Sequence, residues 1–325
     1  MIKRLGFALL LLTPLAVSAQ DHRDESMYYP GAFNWQFLKR YPDAARLFNA
    51  FDYGHAALYE RLLTLREPQA SAALATDFEF LTRDLLVKPP RFAIAEDVVM
   101  PHYARLAWPA KQAFDWAHLL HRQIYDLYAD TRLAPERRDT LIERVTDAYL
   151  AEADYAFAPV PKAMELMDEQ PFSLRFRTEQ PRFNGLIWAY HWLQVGLYEP
   201  FVVGKTSSEQ RVGVESVVRR FQIMLADSSR FPSVMPMTVA VSPRFSAAHP
   251  RAAAIFDNLH MMHDIISDIL ASPSMSRPAK RAEILKQLAE MRDPSRKVMT
   301  WDHWKMMGEM MGGVSKMGGV ALPQE

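Results

Sequence analysis

The chain has 325 residues, no cysteine, and 38 basic against 38 acidic side chains. With 49% hydrophobic residues it can bury a sizeable core, which excludes a disordered or low-complexity chain. The even charge leaves no basic surplus for nucleic-acid phosphates. The missing cysteine excludes disulfides, zinc-thiolate sites, iron–sulfur clusters and thiol catalysis.

The first nineteen residues read as a secretory signal. Lys3 and Arg4 precede the apolar run Leu5–Leu12, Pro14 breaks it, and Val17-Ser18-Ala19 has the small-residue form of a signal peptidase site. Cleavage after Ala19 removes two basic residues and leaves 36 against 38, a net charge of −2. An exported chain without cysteine points to a bacterial periplasm. No later run of about 18 apolar residues occurs, so no stable membrane span is expected in the mature chain.

The rest of the chain reads as helices punctuated by proline. The pattern predicts helices over about 43–65, 70–86, 94–107, 109–129 and 135–157. After a Pro- and Arg-rich stretch at 159–182 come an aromatic helix, about 183–202, and one opened by the capping box Thr206/Glu209 and running to about 226. Residues 228–250 carry four prolines and read as an irregular connection, in which 238–241 has the composition of a short strand without a partner. Helices at about 250–271 and 278–294 and a Met-rich segment at 301–311 close the pattern, and glycine pairs release a tail at 312–325. The expected fold class is all-α: a multi-helix bundle in which four long helices carry inward Asp and His residues. Residues 20–311 are expected to form a single domain, with a sub-boundary near 159–180.

The pentapeptide F-D-x-x-H occurs three times, at Phe51–His55, Phe114–His118 and Phe256–His260. Random placement of the Asp and His residues would give about 0.6 Asp-x-x-His pairs. Asp and His three apart share a helix face, so both can reach one point. The two later copies extend alike, with His121 and His263 at plus three and Asp126 and Asp268 at plus eight. The aromatic helix carries a partial echo in His191, with Gln194 and Glu199 at the same offsets.

These polar residues lie among Phe, Leu, Trp, Met and Ile, so the faces should point into the bundle, where unpaired carboxylates are unstable unless they bind metal. The expected metal residues are Asp52, His55, Asp115, His118, His191, Asp257, His260, His263 and Asp264. His121 and His263 sit about 60° around from the motif histidines and could serve a second metal. Imidazole and carboxylate suit iron first, with manganese, copper or zinc as alternatives. Asp126, Asp268 and Glu199 are candidate catalytic proton carriers if burial raises their pKa values. Tyr59, Tyr125 and Tyr198 follow the motif histidines and could donate protons. Met306, Met307, Met310 and Met311 beside His303 could bind copper(I) or simply pack.

H-E-x-x-H, G-x-S-x-G, a phosphate-binding glycine loop and an EF-hand are all absent. The expected function is therefore an exported metal-binding helical protein with a mono- or binuclear Asp/His centre and an oxidoreductase role, its substrate and redox partner undefined. The alternatives are a zinc-type hydrolase, a non-catalytic periplasmic metal carrier and a haem-binding bundle.

Overall fold

The structure, a computed structural model, describes residues 35–310. The signal segment 1–19, Met311 and the tail 312–325 lie outside the described residues. Within them the chain is all-α, as expected; there is no strand, only an isolated bridge between Lys162 and Val298.

In chain order the helices are α1 (Trp35–Arg40), α2 (Pro42–Thr64), α3 (Gln69–Phe80, continued by a π turn at Leu81–Leu85), α4 (Glu96–Val99), α5 (Pro101–Leu106), α6 (Trp108–Ala129), α7 (Pro135–Ala151), α8 (Glu165–Asp168), α9 (Arg175–Glu179), α10 (Pro181–Gly196), α11 (Tyr198–Val203), α12 (Ser207–Ala226), α13 (Thr238–Val241), α14 (Pro243–Ala248), α15 (Pro250–Ala271), α16 (Arg277–Arg292) and α17 (Trp301–Met310). Proline in the first turn opens α2, α5, α6, α7, α10, α14, α15 and α16. There its fixed φ is already helical and its missing N–H removes no bond. Thr206 caps α12, its hydroxyl accepting from the Glu209 N–H at 3.2 Å.

The helix expected over 135–157 ends at Ala151, and three other expected elements differ, each for a local reason. The helix expected over 94–107 splits into α4 and α5 at Met100, because the residue before Pro101 is pushed out of the helical region. The aromatic helix breaks after Gly196, because Pro200 has no N–H to continue the ladder. Residues 238–241 form the single helical turn α13 rather than a strand, and the Thr238 N–H is held by the Asp257 carboxylate at 2.6 Å.

α15 is the centre of the molecule: every residue from Ala252 to Leu270 is buried. α10 is buried from Phe183 to Gly196. Helices apolar all round belong in a core, and these two are wrapped by α2, α6, α12 and α16. One contiguous cluster of buried side chains runs from Phe37 to Trp304.

Candidate metal centre

The four motif-bearing helices α2, α6, α10 and α15 bring six histidines into the core: His55, His118, His121, His191, His260 and His263, none more than 5% exposed. Of these, His55, His191 and His263 converge most closely, with one ligand atom from each lying within 4.8 Å of the others. The Nε2 atoms of His55 and His191 face each other at 3.1 Å. Two imidazole nitrogens bound to one tetrahedral metal at about 2.0 Å would be roughly 3.3 Å apart, so this spacing suits a shared cation as well as a shared proton.

The His263 ring is set by its neighbours. It stacks on His55 with centroids 3.9 Å apart and on Phe114 at 4.0 Å. Its Nδ1 meets the Tyr59 hydroxyl at 2.7 Å, and that hydroxyl also lies 3.3 Å from the His263 carbonyl oxygen. If the hydroxyl donates to the carbonyl, its oxygen accepts from Nδ1–H, and Nε2 is left as a bare lone pair. Nε2 has no hydrogen-bond partner. Tyr59 thus holds His263 in a ligand-competent orientation.

His121 has the same surroundings on the other side. Its Nδ1 meets the Tyr198 hydroxyl at 2.6 Å, Phe256 stacks on it at 3.5 Å, and its Nε2 is unpartnered. The motif phenylalanines of α6 and α15 are therefore exchanged: Phe114 covers His263, and Phe256 covers His121. This gives the Phe of F-D-x-x-H a function in ring placement. His260 stacks on His191 at 4.1 Å, and its Nε2 meets Gln194 Oε1 at 3.1 Å.

Burial lowers the pKa of all six histidines, bringing His55 and His118 to about 3. The ring set is thus neutral at pH 7, the form that binds metal.

The acidic residues divide into groups. Asp52 alone among the motif aspartates lies near a histidine, with Oδ1 3.5 Å from His118 Nδ1 and Oδ2 3.3 Å from Arg122 Nη2. Asp115 points outward and is paired to Lys111 at 2.5 and 2.7 Å. Asp257 faces away from the histidines, accepting from Thr238 N–H and, at 2.7 Å, from Trp304 Nε1–H, so it ties α13 and α17 to α15. Asp264 accepts from Trp188 Nε1–H at 2.9 Å, and burial raises its pKa to about 7 against the pull of Arg177.

The three acids at plus eight share a different task. Asp126 accepts the N–H groups of Gln36 and Phe37 at the start of α1. Glu199 accepts those of Arg244 and Phe245 in α14. Asp268 accepts those of Leu174 and Phe176 around the start of α9, together with Arg177 at 2.8 Å. Each side chain fastens a short helix by its N-terminus, where a carboxylate is stabilised. None of the three lies among the histidines by any of these bonds. Burial raises their pKa values, Asp126 to about 6.

Glu96 is the residue that sequence reasoning missed: one turn of α4 places it beside Asp52 and His118. It falls within the helix expected over 94–107 but carries no Asp-x-x-His signal. His102 bonds Glu60, and His249 bonds Glu143 at 3.2 Å. Met306 and Met310 lie on an exposed face of α17. Comparison with protein-family models, curated proteins and solved structures finds no match to this chain.

Proposed function

We propose that this protein is an exported metalloprotein whose His55, His191 and His263 hold a redox-active transition metal, and that its role is that of an oxidoreductase. The observation that carries the reading is the convergence of three neutral, buried imidazoles from three helices, with His263 Nε2 left free of protein partners. Three imidazoles without a carboxylate suit copper, iron or zinc.

Burial favours electron transfer or a diatomic substrate over hydrolysis. The three residues are 0–2% exposed, so a phosphate or acyl substrate has no approach to a metal-bound water there. The same burial slows metal exchange, which weighs against a carrier. A haem between paired histidines fits poorly, because the rings of His55, His191, His260 and His263 lie with centroids 3.9–5.4 Å apart and leave no slot for a porphyrin. The phenol of Tyr59 beside His263 is placed to exchange a proton or an electron with that ligand.

Export rests on the signal-like segment 1–19; the intact mass of the secreted chain should correspond to a start at Gln20. No described helix is long and apolar enough to cross a membrane. To test the metal reading, the mature protein is purified without a histidine tag, and its metal content and visible spectrum are compared with those of His191→Ala. We expect iron or copper in the parent and loss of that metal in the variant. Stoichiometric zinc, with no iron or copper, would favour the hydrolase instead.

A further inference from the structure

We propose that Asp52, Glu96 and His118 form a second metal site, selective for a hard divalent cation such as manganese(II) or iron(II), at the inner end of a solvent-facing cavity. It does not depend on the three-histidine centre. The three residues come from α2, α4 and α6, and one ligand atom of each lies within 4.8 Å of the others. They are 6%, 7% and 5% exposed.

Two features point to a ligand. Asp52 Oδ1 and both ring nitrogens of His118 have no hydrogen-bond partner. At 3.5 Å, Oδ1 and Nδ1 are too far apart to satisfy each other well. Such buried polar atoms are ordinarily paired. Second, all three residues line a cavity of about 410 Å³, bordered also by Trp108, Trp116 and Arg122.

The chemistry differs from that of the inner site. Two carboxylates with one imidazole suit manganese(II) as well as iron(II), whereas imidazoles alone do not favour manganese(II). The charge is also incomplete. Arg122 is the cation nearest Asp52, but its other arm is tied to Asn49 Oδ1 at 2.8 Å and it lies over the Phe48 ring. Lys111 is held by Asp115. With one guanidinium beside them, both carboxylates can be ionised together only with a further cation between them, which a divalent ion would supply.

Three protein ligands leave coordination positions open on the cavity side. Water or a small anionic molecule can occupy them from solvent, which the sealed three-histidine centre does not allow. The His118 ring lies 5.8 Å from the His263 ring, so the two sites are neighbours with different access. On this assignment the outer metal meets the substrate.

Manganese(II) binding to the metal-stripped mature protein provides the test, with the free ion counted by electron paramagnetic resonance. The parent should bind one manganese(II) per chain, His191→Ala should still bind it, and Glu96→Gln should weaken binding at least tenfold. Near-ultraviolet circular dichroism checks that each variant is folded. Unchanged binding in Glu96→Gln would overturn the assignment. So would loss of the manganese in His191→Ala alone. A folded parent protein that takes up no manganese(II) overturns it without recourse to any variant, and would leave the three-imidazole site, which is not expected to hold manganese, untouched.

Discussion

Gly54 shows how closely the histidine rings are fitted. A Cβ added there would lie 2.5 Å from Tyr190 Cε2, one residue before His55 and opposite the residue preceding His191. Tyr190 in turn stacks on Phe51 at 4.9 Å. Gly54→Ala must displace the Tyr190 ring or part α2 from α10, at the point where His55 and His191 meet. We expect a loss of about 1–3 kcal/mol in urea unfolding, typical of overpacking, together with weaker metal retention.

A second residue, His118, gives a pH signature. Its pKa is about 3 in the fold, through burial and the nearby charges of Arg122 and Lys111, against about 6.5 when unfolded. Below pH 6.5 the unfolded chain takes up a proton that the folded chain refuses, so this group's contribution to stability falls on acidification from 6.5 towards 3. In the metal-free protein, the stability of the parent relative to His118→Gln should therefore drop by about 2 kcal/mol between pH 7 and pH 5. A difference that stays constant with pH would mean that His118 has the same pKa in the folded and unfolded states.

At the scale of the elements, the two HxxH helices α6 and α15 hold each other's second histidine in place through Phe114 and Phe256. The acids at plus eight attach short helices to these long ones. Leu174, at φ 65°, adopts a left-handed conformation that most side chains avoid, and its N–H meets Asp268. The sign of this arrangement is testable: Asp268→Ala removes the buried partner of Arg177 and should destabilise the protein by about 3–5 kcal/mol in thermal unfolding, while the metal content of the protein that remains folded is unchanged. Loss of metal without loss of stability would instead return Asp268 to the site.

Much of this was legible in the sequence. Proline spacing located the long helices, and the F-D-x-x-H repeat located the helix faces that meet. Helical angle alone made His260 the principal ligand of α15 and His263 the secondary one. In the fold the ring that comes near both His55 and His191 is that of His263, set by Tyr59 and Phe114, which arrive from other helices. Asp257 and Asp126 carry the same periodic signal as a ligand, yet their oxygens are taken by backbone N–H groups of segments distant in sequence. Glu96 was missed because it lies outside every Asp-x-x-His motif, and only the tertiary fold brings it to Asp52 and His118.

For the molecule as a whole, the arrangement is a buried α15 and α10 wrapped by amphipathic helices, with two polar clusters of opposite character inside. One is all imidazole and sealed; the other carries two carboxylates and opens to solvent. Burying six neutral histidines is unfavourable unless their nitrogens find partners, and several of those nitrogens find none in the protein. A metal held between them would supply those partners.

The central claim is that the inner three-histidine cluster exists to hold a metal. Crystals of the protein purified without a histidine tag, measured at the iron and copper absorption edges, test it most directly. The expected result is an anomalous peak bonded to nitrogens of His55, His191 and His263 at about 2.0–2.2 Å. An ordered core in which these three rings contact only one another, with no peak between them after growth in metal-replete medium, would contradict it.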